Sequence, residues 1–159
     1  HDPMGGLRGG KYSAFEAGTR VPFLISWPQK IKPQVSDALV SQMDFMASFA
    51  SLLKVTVDTK QDGVNLIPSF LGKDKKGRSS FVQQGGALSL VKDGWKYIEP
   101  SDGRAKNTLV NIELGNLKEP QLYNLNVDRG EKNNLANQYP EKVKELQEML
   151  EIIKKRSYN

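Results

Sequence analysis

The sequence predicts a mixed α/β (α+β) chain: the tail of an α/β domain, then a small antiparallel sheet packed with a C-terminal helix. Three observations predict it. Residues 21–27 are a short apolar run of strand character, followed by a helical stretch with a broad apolar face. Residues 80–98 hold three strand-like runs, with a hairpin turn signal between the last two. Residues 140–155 place one apolar helical face behind a proline suited to a first helical position. The glycine-bounded basic run 73–78 divides the chain into residues 1–77 and 78–159.

Taken in order, residues 1–20 read as loop. Val21-Pro22-Phe23-Leu24-Ile25-Ser26-Trp27 reads as a buried strand ended by Pro28, and Pro22 is tolerable at its start. Residues 28–33 are a turn-rich connector. A helix is predicted from Ser36-Asp37 onward, with Leu39, Val40, Met43, Phe45, Met46, Phe49, Leu52 and Leu53 on its apolar face. The Met and Phe positions are expected in the core. Residues 62–72 read as a turn plus a short helix stopped by Gly72. Strands follow at 80–84, 87–91 and 95–98, with the turn Lys92-Asp93-Gly94. Residues 101–119 are polar and irregular, and 121–125 add another strand. Val143, Leu146, Met149, Leu150 and Ile153 form the face of the last helix.

Composition narrows the function classes. The chain has 159 residues, 38% of them apolar or aromatic, and a formal net charge of +5. The sequence pI of about 9.3 raises the question of nucleic acid. The basic residues alternate with acidic ones, however, and Trp95 and Tyr97 fall in a strand where core packing explains them. A partner among anionic polymers fits the charge better than nucleic acid. No window approaches the roughly 18 consecutive apolar residues of a membrane span. With no cysteine, disulfides and thiolate metal sites are excluded for this chain. No signal segment is visible, and because the chain opens on His1 that absence is uninformative.

The run Leu7-Arg8-Gly9-Gly10-Lys11-Tyr12-Ser13-Ala14-Phe15-Glu16-Ala17-Gly18-Thr19-Arg20-Val21-Pro22-Phe23 carries the most information. Glycines permit close approach of backbone to a ligand. Lys11 offers a compact charge with three donors, suited to a tetrahedral oxyanion, and Arg8 and Arg20 offer planar forks for paired oxygens. Two readings stand at this point: an anion site, or a glycine-rich turn with solvated basic residues. It is not a phosphate-binding P-loop, because Tyr12 follows Lys11.

The same run resembles the stretch of type I, formylglycine-dependent sulfatases that reads L-R-G-x-K-x-x-x-Y/F-E-G/A-G-x-R-V-P. Three more segments resemble that family in the right order. Residues 21–31 are similar to R-V-P-x-x-x-x-W-P-G-K-I, with Gln29 in place of Gly. Residues 36–48 are similar to the helix that follows the connector. Asp93-Gly94-Trp95-Lys96-Tyr97-Ile98, residues 121–125 and residues 128–136 resemble D-G-x-W-K-Y/L-I, then E-L-Y-N/D-L and D-P-x-E-x-x-N-L-A, with Gln121 and Arg129 departing from Glu and Pro. The resemblance covers almost the whole chain.

It implies the end of an alkaline-phosphatase-like catalytic domain over 1–77 and a small C-terminal subdomain over 78–159. It implies hydrolysis of sulfate esters, on sulfated small molecules or glycans, by a periplasmic or extracellular bacterial enzyme. Calcium and formylglycine would serve the full-length enzyme, with the nucleophile and metal ligands in an N-terminal half upstream of His1 and no metal held by this chain, which alone is expected to be inactive. Lys11 matches the sulfate-binding lysine, Arg8 stands beside it as a second substrate contact, and His1 is the candidate proton donor ten residues upstream. Glu16 and Arg20 are expected to pair and to fix the loop that aims Lys11. Ser26-Trp27-Pro28-Gln29-Lys30 imitates the nucleophile motif S-x-P-x-R but ends in Lys and is set aside. The competing readings are a non-catalytic domain that binds anionic polymers, and a phosphodiesterase or phosphonate hydrolase of the same superfamily.

Overall fold

Strand formation after residue 80 follows the turn chemistry closely. The computed structural model describes residues 2–56 and 62–156. Among them β1 (Ser80–Gly85), β2 (Ala87–Lys92), β3 (Trp95–Ile98) and β6 (Gln121–Asn124) make a four-stranded antiparallel sheet in the order β1-β2-β3-β6. Asp93 and Gly94, at φ 51° and 77°, close the β2–β3 hairpin with Lys92 opposite Trp95. Positive φ at both central residues is the geometry whose twist matches the flanking strands. A short two-stranded ribbon, β4 (Lys106–Asn107) and β5 (Ile112–Glu113), lies within the polar 101–119 segment.

Side chains alternate across the sheet, so each strand feeds two cores. Leu90, Tyr97 and Leu122 point to one face, where Ala136 and Leu146 and Leu150 of α4 (Pro140–Arg156) cover them. Pro140 is the first residue of α4, as its φ preference predicts. Ala87, Ile98 and Tyr123 point to the other face, and it is covered by Ala14 and Phe15 from the N-terminal loop. Phe15 and Tyr123 meet edge to face at 6.0 Å between ring centres.

The chain therefore separates into two compact units by contact: residues 1–22 with 80–159, and residues 23–79. The sequence boundary at 77/78 lies beside the second of these limits. The grouping of residues 1–22 with the sheet has no signal in local composition, because it rests on Ala14 and Phe15 packing against strands more than 70 residues away.

In the unit 23–79, α2 (Asp44–Leu53) is shorter than the predicted helix, and α3 (Ile67–Phe70) ends at Gly72 with φ 70°. Residues 36–43 are not helical. Leu39 instead forms a bridge to Gly77, its N–H donating to the Lys76 carbonyl and its carbonyl accepting from Arg78 N–H. The helix starts where Ser41 and Asp44 exchange bonds: Asp44 N–H donates to the Ser41 carbonyl at 3.0 Å, and Ser41 N–H donates to Asp44 Oδ2 at 2.9 Å. Asp44 is fully buried and also accepts from Val64 N–H at 3.0 Å and from the Arg78 guanidinium. Phe23, Phe45, Phe49 and Phe70 pack ring on ring.

Two expectations are corrected here. Residues 21–27 form no strand, and Val21, Phe23, Leu24 and Ile25 are exposed, Leu24 at 89%. An apolar run becomes a strand only when a neighbour completes its ladder, and among the described residues none does. Met43, Met46, Phe49 and Leu53 of the helical face are exposed rather than core, although Phe45 and Phe49 join the aromatic cluster.

Leu150 is 1% exposed in the α4–sheet core. Leu150→Ala is expected to destabilise the unit containing the sheet by about 2–5 kcal/mol, read as a lowered denaturant midpoint with unchanged slope.

Candidate functional site

Residues 8–18 form a loop closed at its base. Ala17 N–H donates to the Arg8 carbonyl at 3.0 Å, Ser13 N–H donates to the Gly10 carbonyl at 2.9 Å, and Ala14 N–H donates to the Leu114 carbonyl at 2.9 Å. Gly9, at φ 85°, sits where a Cβ would collide with the Ser13 side chain, and Gly18 packs directly on the Ser13 and Gly10 carbonyls. Tyr12, at φ 72°, marks the tip and is 68% exposed. A non-glycine residue in this conformation is uncommon and is held by the surrounding bonds. α1 (Glu16–Thr19) ends the loop.

Lys11 is exposed at this tip. Its Nζ stands 4.9 Å from the centre of the Tyr12 ring, and among the described residues it has no ion-pair partner. A rigid base, an open tip and one available ammonium are what a site for an oxyanion requires.

Arg8 is placed differently from its expected role as a substrate contact. Its Nε and one terminal nitrogen grip Glu113 bidentately at 2.8 and 2.9 Å. The other terminal nitrogen donates to the Glu131 carbonyl at 2.8 Å and lies 3.4 Å from the Tyr123 hydroxyl. The guanidinium also covers the Phe15 ring at 4.1 Å. Its planar fork is engaged by the protein, so the geometry makes Arg8 an anchor of the loop. The hydrogen bond to Glu113 raises the Arg8 pKa, and the same bond holds the Glu113 carboxyl below its ordinary range. Burial pushes the neighbouring Tyr123 hydroxyl up to about 12.

Glu16 pairs with Arg20 at 3.3 Å, as the sequence suggests, but its shorter partner is Lys96 of β3 at 3.0 Å. Lys96 also lies 3.1 Å from Glu131 Oε1, and Glu16 N–H donates to Glu131 Oε2 at 2.6 Å. Burial raises the Glu131 pKa, while Lys96 and the Glu16 N–H pull it down. Lys96, Glu113 and Glu131 escaped the sequence-based reading of the site because they lie far along the chain from residue 11. One signal was available: Lys96 alternates with Trp95 and Tyr97 in a strand buried on both faces, where a lysine needs a charged partner.

His1, the candidate proton donor, lies outside the described residues. Ser26, in the imitation nucleophile motif, is exposed and lies in the other unit, outside any strand. Among the described residues no group of three or more Asp, Glu or His side chains could hold a metal ion, and no helix is long and apolar enough to cross a membrane.

The Glu113 and Glu131 shifts have opposite consequences for stability. Glu113, with its pKa lowered, contributes stability above its unfolded value near 4.5 that is lost as the pH falls through the lowered value. Glu131, with its pKa raised, contributes in its protonated form, and that contribution is lost as the pH rises through the raised value. About half of the Glu113 side chain faces water, so screening holds its share to about 1 kcal/mol or less. Glu113→Gln is expected to flatten the acid limb of the stability–pH curve below 4.5, measured by urea unfolding at a series of pH values.

The chain is similar to known proteins. The family model described as Sulfatase matches residues 1–55. An N-acetylgalactosamine-6-O-sulfatase of Bacteroides thetaiotaomicron is 51% identical over 160 residues, covering 98% of this chain and 31% of its own length. Arylsulfatase K of Gallus gallus is 31% identical over 157 residues, covering 90% of this chain and 27% of its own length. A solved structure from work on glycosaminoglycan metabolism by Bacteroides thetaiotaomicron superposes with a TM-score of 0.93 at 50% identity, covering 98% of this chain and 33% of that one. The chain thus spans about a third of the length of the relatives it matches.

Proposed function

The chain belongs to the sulfatase family and carries the C-terminal part of its fold, and on that premise we propose that it contributes the sulfate-contacting lysine to an enzyme that hydrolyses sulfate esters on glycans. The observation that supports this most is Lys11: exposed, without an ion-pair partner among the described residues, at the tip of a loop whose base is pinned on both sides. The obstacle to attack on a sulfate ester is the negative charge on its oxygens. A fixed ammonium lowers that obstacle, and does so most when it needs no rearrangement to meet the anion.

Lys11 binds and orients the sulfate in this reading, and Arg8 holds the loop. His1 is assigned the role of proton donor to the departing alcohol. Sulfatases generally depend on calcium and formylglycine. In this reading Lys11 contributes electrostatically, by meeting the charge on the sulfate oxygens. We place the nucleophile and the metal site on the part of the fold that the longer relatives carry beyond this third. The exposed apolar residues of 21–27 and of α2 would pack against that part. Residues 1–77 would then belong to the catalytic domain of the whole enzyme and 78–159 to its C-terminal subdomain. The glycan substrate and a periplasmic or extracellular location follow from the same proposal.

The test uses the protein encoded by the complete open reading frame around this chain, assayed on an aryl sulfate and on N-acetylgalactosamine 6-sulfate. Sulfate release is expected, and Lys11→Ala is expected to lower kcat/KM by on the order of 100-fold or more with an unchanged unfolding midpoint. Equal activity in the variant would remove the sulfate contact from Lys11. Turnover of a phosphodiester but of no sulfate ester would move the chain to another reaction of the superfamily.

A further inference from the structure

Three charged groups meet in the interior on the sheet face opposite α4. Lys96 and Glu131 are each 0% exposed, and Glu16 is nearly so. The Lys96 ammonium stands between the two carboxylates at 3.0 and 3.1 Å, without a well-aligned hydrogen bond to Glu131 Oε1. Glu131 Oε2 accepts from Glu16 N–H at 2.6 Å. Two carboxylates against one ammonium leave one negative charge in excess, and Arg20 offsets it from the half-exposed edge at 3.3 Å from Glu16.

This cluster is a costly way to fill space. Burying charge carries a desolvation penalty that apolar residues of similar volume avoid. The sheet ladder does not require it, because β3 pairs with β2 and β6 through its backbone. The α4 core does not require it either, since Tyr97 and not Lys96 faces that side. Glu131 also occupies the left-handed region at φ 51°, which is unfavourable for a residue with a Cβ. Its turn is held by Asp128, whose carboxylate accepts from the N–H groups of Lys132 and Asn133 at 2.9 Å each.

The cluster joins segments that are distant in sequence at the two ends of the loop carrying Lys11. Residue 131 holds both ends. Its carbonyl accepts from Arg8 at 2.8 Å, three residues before Lys11, and its carboxylate accepts from Glu16 N–H, five residues after. Lys96 secures the same Glu16 from the sheet.

We propose that Glu131 and Lys96 are positioning residues for Lys11, clamping both ends of its loop onto the sheet so that the ammonium meets a sulfate group in a fixed place. The role in turnover rests on the sulfatase reading. The clamping rests on the geometry alone.

Two measurements separate these. Hydrogen–deuterium exchange on the 159-residue chain compares the unmodified protein with Glu131→Gln, which keeps shape and one acceptor oxygen but removes the charge. Exchange of amides 9–18 is expected to rise about tenfold or more, with amides of β2 and β3 unchanged. Should Glu131→Gln not fold, the uncharged Glu16→Gln/Lys96→Met/Glu131→Gln variant takes its place, because it leaves no lone buried charge. In the protein from the complete open reading frame, the same variant is expected to raise KM for a sulfate ester and to lower kcat/KM by about 10- to 100-fold. Unchanged exchange at 9–18 in a folded variant, or a rise shared equally by β2 and β3, would overturn the clamp. A lower maximal rate at unchanged KM would overturn positioning, because it reports fewer folded molecules rather than a displaced lysine. If the unmodified protein releases no sulfate, the sulfatase reading fails and the exchange result alone decides the clamp.

Discussion

A lysine enclosed on all sides cannot be solvated by water, so its charge must be met by the protein. In this chain Lys96 is met by Glu16 and Glu131, which come from the N-terminal loop and from the segment after the last strand. Taking both carboxylates away would leave an uncompensated buried charge, a loss of about 3–5 kcal/mol. The N-terminal residues are therefore tied to the sheet by electrostatics as well as by Phe15, and the position of everything on that loop depends on the pairing.

The sheet makes this possible because both of its faces are covered. One face is an ordinary helix-on-sheet core, built by Leu146 and Leu150 against Leu90, Tyr97 and Leu122. The other is closed by a loop, and a loop brings backbone groups that need partners. Ala14 N–H finds the Leu114 carbonyl, Glu16 N–H finds Glu131, and Arg8 supplies donors to Glu113 and to the Glu131 carbonyl. The polar segment 101–119 thus has a structural purpose that its composition conceals: its ribbon presents Glu113 and Leu114 to the loop.

The unit 23–79 is organised by a second buried carboxylate. Asp44 gathers the N–H groups of Ser41 and Val64 together with Arg78, so one side chain ties the start of α2 to two later segments. The aromatic cluster of Phe23, Phe45, Phe49 and Phe70 lies beside apolar residues that remain exposed, including Leu24 and Leu53. Their exposure is in keeping with a chain that spans about a third of the length of its relatives.

The sequence by itself determined the elements whose causes are local. Asp93-Gly94 set the hairpin, Pro140 and the spacing of Leu146 and Leu150 set α4, and Gly72 ended α3. The glycines around Lys11 and the ordered motifs were enough to point to a sulfatase. Tertiary structure decided what depends on partners remote in the chain. It left 21–27 unpaired, because a strand needs a neighbour, and it ended the helix at Asp44 on its N-terminal side, because Leu39 found Gly77. It turned Arg8 from an open cation into an anchor by bringing Glu113 and Glu131 to it. It joined residues 16, 96 and 131, whose attraction no local pattern encodes, since burial that strengthens a charge pair exists only after the chain has folded.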